Sequence, residues 1–181
     1  ENVVTLYESK ISHLGSGGWR IALLSEYSPF SRVSYLLDTV ETVSIKVTRA
    51  WANQLLDGLE HLHKCGITHK LVNVDNIYLF RNSEIGETTV KLSRPSYGYK
   101  LLDMNARHKF TSTNIVLPER KWKPPELNVK PAPPPTKKSD IYDFGTVVCQ
   151  LLEGKNIVNK FKSPFTFLES PHTFARYKGT D

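Results

Sequence analysis

The sequence lacks an apolar run long enough to cross a bilayer, and it has little cysteine. A transmembrane helix needs about 20 consecutive apolar residues, and no stretch of this chain approaches that length. The 2 cysteines, Cys65 and Cys149, are far apart and show neither a C-x-x-C pair nor zinc-ligand spacing. This pattern argues against a zinc site and favours a reducing compartment. We expect both thiols to be buried.

The chain also lacks an initiating methionine and a leader segment. It begins at Glu1, and no basic region followed by an apolar one comes after it, which indicates a piece of a longer protein with no visible targeting signal. Its 181 residues suffice for one domain with its own core. The net charge of +6 is spread along the chain among 18 acidic residues, so nucleic-acid binding is not expected from this segment.

The first part of the chain predicts two strands and a short helix. Residues 2–10 and 19–27 are rich in β-branched and aromatic side chains, and the glycine-rich stretch 15–18 separates them. Two such runs joined by a turn are typical of a hairpin. After Pro29 the pattern becomes helical around residues 35–37.

A long helix and a second hairpin follow. Between Ser44 and Lys64 apolar residues recur every three or four positions, and Gly66 provides a left-handed stop. Residues 77–80 and 88–92 then read as two short strands around a polar turn.

The last third of the chain is irregular until a second buried helix begins. Residues 93–139 lack periodicity and include the run Pro131–Pro135, which cannot continue a helix. Helical spacing of apolar residues returns after Ile141, with Ser139 or Asp140 as the expected N-cap and Gly154 as the stop. The letters DFG at residues 143–145 therefore fall inside a helix.

Three motifs in this order resemble those of the protein kinase family. Residues 54–70, QLLDGLEHLHKCGITHK, resemble the kinase stretch that leads into the catalytic loop, and His69 and Asn76 match the ends of H-R-D-L-K-P-E-N. Residues 122–126 resemble W-x-A-P-E, and residues 138–145 resemble K-S-D-V-Y-S-F-G.

The resemblance implies an α+β, protein-kinase-like fold that consists mostly of the helical large lobe. Residues 1–30 would form a partial small lobe of two strands with the hinge, and residues 31–181 the large lobe. Three segments of the large lobe follow from the same alignment, namely a catalytic-loop remnant at 67–79, an activation-segment remnant at 94–126 and a proline-rich insert at 128–137.

The catalytic positions depart from the family pattern. Leu71 stands where the resemblance places the aspartate that accepts the substrate proton, and an alkyl side chain accepts no proton. Asn73 replaces a lysine, and Arg94 occupies the position of the principal metal ligand, where its charge would repel a divalent cation. His69 and Asn76 remain as loop residues. We therefore expect no catalytic residues, no cofactor and no metal.

The resemblance assigns structural roles to three further residues. Asp140 is expected to hydrogen-bond the backbone of the catalytic-loop remnant, and Glu126 to brace the activation segment through an ion pair. Gly145 belongs to the same helix motif. His61 and His63 lie two apart on a helix and cannot share a metal on one face, so neither receives a role.

These departures predict a pseudokinase domain, not an enzyme, that allosterically regulates an active kinase domain in cis or trans. Residues 62–67 and 76–80 are most similar to the translation-initiation-factor alpha kinases, in particular to the degenerate domain that precedes the active one in the general-control, amino-acid-starvation type. That resemblance implies a cytoplasmic Ser/Thr kinase as parent protein and a role in the stress response that controls translation.

Several alternatives stay open. The domain could be a structural ATP-binding switch without catalysis or a weakly active, atypical Ser/Thr kinase. A homodimer is a further option for its assembly. No membrane contact is expected, and ribosome or nucleic-acid contact is left to the parent protein.

Overall fold

The computed structural model describes residues 1–14, 18–81, 86–93, 121–130 and 133–170. Arg94 and residues 95–120 of the predicted activation segment therefore lie outside the described residues, as do positions 131–132 of the proline-rich insert. The predicted division of the chain at residue 30 stays a prediction.

The described chain contains two antiparallel two-stranded sheets and five α-helices, which confirms the α+β prediction. The elements are β1 Leu6–Leu14, β2 Gly18–Ser25, α1 Val33–Val40, α2 Ile45–Lys64, β3 Ile77–Arg81, β4 Thr88–Leu92, α3 Lys137–Glu153, α4 Ile157–Lys160 and α5 Pro164–Leu168. Short 3-10 helices cover Val74–Asn76 and Pro125–Asn128. No helix in the described ranges has the length and apolar character needed to cross a membrane.

Helix α2 forms as its sequence predicts and organises the larger of the two apolar clusters among the described residues. The Ser44 side chain caps it by accepting a hydrogen bond from Val47 N, and Gly66 follows its end with a φ of 74°. Trp51 Nε1 donates to Thr88 O, and Gln54 Oε1 accepts from Val90 N. Helix α2 is thereby fixed along β4, and α3 packs on it as well.

The buried face of α2 lies at the centre of one apolar cluster. Leu55 and Leu59 are each 1% exposed, and Val90 is fully buried. The cluster also contains Val33, Leu37, Val43, Trp51, Leu62, Val72, Val74, Ile77, Leu79, Leu92, Val147 and Leu151. Helices α1, α2 and α3 and the β3–β4 hairpin therefore share a single core.

Helix α3 begins earlier than its sequence predicts. The expected N-cap was Ser139 or Asp140, and this prediction is wrong because the helix starts at Lys137 with Thr136 as N-cap. The Thr136 hydroxyl accepts from Ser139 N, and Ser139 Oγ accepts from Thr136 N in return. This reciprocal capping moves Asp140 inside the helix, where it is fully buried.

A smaller aromatic cluster fixes the segment that precedes α3. Trp122 is 4% exposed, its ring stacks on Phe167 at a centroid distance of 6.2 Å, and its Nε1 donates to Phe161 O. Ile157 completes the buried part of this cluster. The chain at Trp122 is thereby fixed against α5 and the residue that follows α4.

The first residues of the chain add a short parallel pairing to β4. Val4 N donates to Leu92 O, and Leu92 N donates to Asn2 O at 2.8 Å. Asn2 also lies against α2, because a Cβ atom on Gly58 would come within 2.8 Å of Asn2 O. Glycine at position 58 therefore permits this close approach.

The two cysteines do not meet the burial prediction. Cys65 is exposed at the C-cap of α2, and Cys149 is only partly buried in α3. Burial, assisted by the charge of Glu153, raises the pKa of the Cys149 thiol to about 11. The prediction was wrong for Cys65 because α2 ends at the surface here, where Lys64, Cys65 and Gly66 are all exposed.

Candidate functional site at the loop after α2

The loop between α2 and β3 has a tightly specified backbone. Ile67 N donates to Leu62 O, which closes the chain over the end of α2. Lys70 adopts a φ of 72°, a left-handed conformation that is uncommon outside glycine. Such a conformation persists only where surrounding contacts hold it.

The Asp140 carboxylate of α3 supplies those contacts. Its Oδ2 accepts a hydrogen bond from His69 N at 2.8 Å, and its Oδ1 accepts from Lys70 N at 2.7 Å. Asp140 is fully buried, so these charge-assisted bonds form away from water. The carboxylate thus binds the backbone of the loop at the residue with the left-handed conformation.

His63 is the third partner of Asp140, and sequence reasoning missed it. His63 Nε2 lies 2.8 Å from Asp140 Oδ2, and the imidazole is 15% exposed. The two residues are separated by 77 positions in the chain, and helical periodicity carries no information about such a contact. The only sequence signal was the location of His63 in the last turn of α2, one residue before the helix ends.

His69 is buried and makes a further set of contacts. Its Nε2 lies 3.1 Å from Ser93 O, and its Nδ1 accepts a hydrogen bond from Leu71 N at 3.3 Å. A carbonyl only accepts, so Nε2 must donate and Nδ1 carries the lone pair, which corresponds to a neutral ring. His69 therefore joins the loop to the residue after β4.

The polar side chains at Asn73 and Asn76 hold the rest of the loop. Asn73 Oδ1 accepts from Asp75 N and Asn76 N, each at 3.0 Å, and so caps the short 3-10 helix. Asn76 Nδ2 donates to Leu71 O at 3.0 Å. Both amides therefore stabilise the loop from within.

Leu71 lies at the edge of a cavity of about 250 Å³. Its alkyl side chain offers no proton acceptor to a molecule in the cavity. Residues of the loop, α3 and α4 line the cavity. Its charged lining residues are Asp75, Lys121, Asp143 and Lys155. The cavity therefore presents charged groups of both signs beside an apolar loop residue.

Glu126 and Gly145 occupy different environments. Glu126 Oε1 accepts a hydrogen bond from Ser139 Oγ at 2.7 Å, and within the described ranges no ion pair of Glu126 occurs. Burial, together with the charges of Asp143 and Glu126, raises the pKa of Tyr142. A Cβ atom at Gly145 would meet no atom within 4 Å, so packing does not require glycine there.

No metal-binding cluster of three histidine, cysteine or carboxylate side chains occurs in the part of the chain that the structure describes. Asp143 of the letters DFG lies inside α3 and is 4% exposed. Arg94 is outside the described residues, so its predicted effect at a metal position stays a prediction.

A second polar contact connects the segment that follows β2 to the β3–β4 hairpin. Lys91 Nζ lies 2.9 Å from Glu26 Oε2 and 4.8 Å from the centre of the Phe80 ring, while Glu26 Oε1 accepts from Thr5 N at 2.7 Å. Burial acts to raise the pKa of the Glu26 carboxyl, but hydrogen bonds from Lys91 and Thr5 and the Lys91 charge outweigh it and lower the pKa.

The chain matches the family model described as "Protein kinase domain" along residues 1–173. It is 37% identical to the eIF-2-alpha kinase GCN2 of Schizosaccharomyces pombe over 89% of its length, and 30% identical to the 3-phosphoinositide-dependent protein kinase B of Dictyostelium discoideum over 79%. It is also 29% identical to the serine/threonine-protein kinase PKH1 of Saccharomyces cerevisiae over 73%. The chain spans 10%, 15% and 17% of these relatives, respectively.

These similarities overturn one prediction. The sequence predicted a pseudokinase domain that is not an enzyme, whereas the relatives are named protein kinases and the family model that matches is that of the protein kinase domain. The prediction judged a whole site from three positions, Leu71, Asn73 and Arg94. Phosphoryl transfer, however, depends on positioning and charge neutralisation by many groups across both lobes. On the similarity along its length, the chain belongs to the protein kinase domain family.

Proposed function

We propose that this chain is a regulatory kinase-domain segment of a translation-control protein kinase, and that it binds and stimulates an active kinase domain. The partner domain would belong to the same polypeptide or to a second copy of it. The parent protein would be a cytoplasmic Ser/Thr kinase that responds to amino-acid starvation.

The observation that carries the proposal is the 37% identity to the eIF-2-alpha kinase GCN2 over 166 residues. The similarity extends over 89% of this chain, so it includes the loop, the β3–β4 hairpin and α3 together. The name of that relative contains its substrate, eIF-2-alpha, and we propose the same substrate and the same setting, translation control, for the parent protein of this chain.

The loop geometry supports a role that works through contacts. His69, Asn73 and Asn76 each direct polar atoms at the backbone of the loop and its neighbours. The alkyl side chain of Leu71 forms part of the lining of the cavity. A rigid loop on a well-packed core suits a domain that biases a two-state partner by binding one of its states more tightly.

A second candidate function is phosphoryl transfer to a serine or threonine hydroxyl by the chain itself. The names of the relatives favour it, since all three are protein kinases. It requires nucleotide contacts from the small lobe and from residues beyond the described ranges.

A reconstitution experiment tests both functions. Purified chain is added to the active kinase domain of its parent protein, and the rate of phosphorylation of eIF-2-alpha is measured against kinase domain alone and against an unrelated protein of equal net charge. We expect a rate increase that saturates with the concentration of the chain. No increase over the unrelated protein, at concentrations that saturate binding, would disprove stimulation.

The same experiment contains a measurement of the second function. The chain is incubated alone with labelled ATP and eIF-2-alpha, and phosphate incorporation is compared with that of Asn76→Ala. Incorporation that disappears in the variant, while the variant keeps the thermal unfolding curve of the natural chain, would establish phosphoryl transfer by this chain.

A further inference from the structure

The elements that meet at the start of α3 carry four exposed lysines. Lys123 precedes the 3-10 helix Pro125–Asn128, Lys130 follows it, and Lys137 and Lys138 lie in the first turn of α3. We name these four residues the lysine surface. They come from a stretch of chain in which lysine is the only basic residue type.

Two contacts fix these elements relative to one another. Ser139 Oγ donates to Glu126 Oε1 at 2.7 Å, which joins the 3-10 helix to the first turn of α3. Lys137 Nζ donates to His63 O at 2.6 Å, which joins the same turn to the end of α2. The lysine surface is therefore carried by a rigid junction of three elements.

Three of the four lysines have no carboxylate partner among the described residues. Lys137 shares a hollow with Asp57 and Glu60, whereas no ion pair of Lys123, Lys130 or Lys138 occurs in the described ranges. Glu126 accepts from Ser139, and Asp140 binds the loop backbone. Lys137 and Lys138 are consecutive in the chain, and an anionic partner would offset the repulsion between their like charges.

The surroundings of the lysines favour a polypeptide over a nucleic acid. Two exposed apolar residues neighbour the lysines. Val129, which is 56% exposed, precedes Lys130, and Ile141, which is 48% exposed, lies one turn after Lys137 in α3. Trp122 is buried at 4% exposure, so its ring is not available to stack on a base. No arginine occurs in residues 121–138, and the planar fork that pairs with phosphate is missing there.

We propose that the lysine surface binds an acidic segment of a protein partner in which carboxylates alternate with apolar side chains. The carboxylates would pair with the lysines, and the apolar side chains would cover Val129 and Ile141. Resting on the proposed function, we assign that segment to the active kinase domain that the chain stimulates.

A charge-reversal variant tests the surface directly. The substitutions Lys123→Glu, Lys130→Glu and Lys138→Glu are combined, and Lys137 is kept because it binds the end of α2. The control combines Lys10→Glu, Lys46→Glu and Lys160→Glu, three exposed lysines on β1, α2 and α4. Both variants have the same net charge, and circular dichroism and thermal unfolding verify that both are folded.

The first probe is a fluorescent peptide of alternating glutamate and leucine, with binding measured by fluorescence anisotropy at low and physiological salt. We expect the surface variant to bind at least about tenfold more weakly than the natural chain, and the control to differ by no more than about twofold. Equal weakening in both variants, or in neither, would overturn the proposal.

The second probe is a fluorescent oligouridylate. If it binds the natural chain more tightly than the peptide does, and the surface variant loses that binding, the partner is a nucleic acid and the polypeptide assignment is wrong.

The third measurement separates this inference from the proposed function. If the active kinase domain binds the natural chain and the surface variant equally well, the docking surface is wrong while stimulation stands. If the peptide binds through the lysine surface but the kinase domain does not bind, the acidic preference stands and the kinase partner is wrong.

Discussion

The body built from α2, α3 and the β3–β4 hairpin and the sheet built from β1 and β2 bury their apolar side chains to very different extents. Leu55 and Leu59 in the body are each 1% exposed, whereas Tyr7 and Ile11 in the β1–β2 sheet are 65% and 64% exposed. A two-stranded sheet without a packed face has little stability of its own. Packing thus stabilises the body. The β1–β2 sheet is positioned by polar contacts of the residues at its ends, namely Glu26 with Lys91 and with Thr5 N.

The largest expected effect comes from breaking the buried anchor of the body. Asp140→Ala removes the acceptor for His69 N and Lys70 N and leaves His63 without its carboxylate. Loss of one partner of such a buried network costs about 3–5 kcal/mol. We expect this loss in the free energy of unfolding by urea. A loss below about 1 kcal/mol, the range of an exposed pair, would contradict the role of Asp140.

The next prediction compares the two regions with matched truncations. Leu55→Ala in the body should lower the free energy of unfolding by about 2–5 kcal/mol because it leaves a cavity. Ile11→Ala on the β1–β2 sheet should change it by less than about 0.5 kcal/mol because the side chain is already exposed. Comparable losses in the two variants would contradict this prediction and would mean that the Ile11 side chain is buried in solution, by another part of the chain or by a second molecule.

A third prediction uses two glycines in helices. Gly58→Ala brings a Cβ to within 2.8 Å of Asn2 O and should displace the first residues from β4. Losing the two backbone hydrogen bonds of Val4 N and Leu92 N costs about 1 kcal/mol each, which exceeds the helix gain of about 1 kcal/mol, so the variant should be less stable by about 1 kcal/mol. Gly145→Ala meets no atom within 4 Å and should stabilise the protein by about 1 kcal/mol.

Amide hydrogen exchange distinguishes these two variants. Exchange of Val4 N and Leu92 N, the two donors of the parallel pairing, should accelerate in Gly58→Ala and stay unchanged in Gly145→Ala. Unchanged exchange in both would show that the first residues tolerate the added methyl group.

The smallest effect concerns the contact at the base of the β1–β2 sheet. Glu26→Gln removes the ion pair with Lys91 and should cost about 1 kcal/mol at neutral pH. The pKa of Glu26 is lowered in the folded protein, so its contribution is complete above the ordinary pKa of 4.5 and is lost as pH falls through the folded value. Natural chain and variant should therefore converge in stability at acid pH. A difference that persists there would assign the effect to packing.

Local patterns account for the parts of the fold that sequence predicted well. The apolar spacing in α2, the cap at Ser44 and the stop at Gly66 act within one or two helical turns, and all three occur in the structure. The start of α3 was misplaced because Thr136 and Ser139 cap each other, and a serine in place of the usual glutamate or glutamine hid that pair.

The candidate site depends on contacts that no local pattern records. The His63–Asp140 contact joins residues 77 positions apart, and the capping of the loop by Asn73 becomes visible only with the 3-10 helix in place. The assignment of Leu71 to the position of the proton-accepting aspartate stays a prediction, and the conclusion drawn from it, that the domain is not an enzyme, was wrong. A short motif shows which residues occupy a few positions, whereas catalytic activity depends on groups from the whole domain.

The contact between Asp140 and the loop also sets an order of events during synthesis of the chain. His69 leaves the ribosome 71 residues before the carboxylate that accepts from its N–H. Until α3 has been made and has docked on α2, the left-handed conformation at Lys70 lacks the hydrogen bond from Lys70 N to the Asp140 carboxylate. Contacts between residues far apart in sequence generally form more slowly than local ones, because the entropy of closing the intervening loop opposes them. The nascent protein therefore acquires the shape of this loop only after the helix that anchors it has folded.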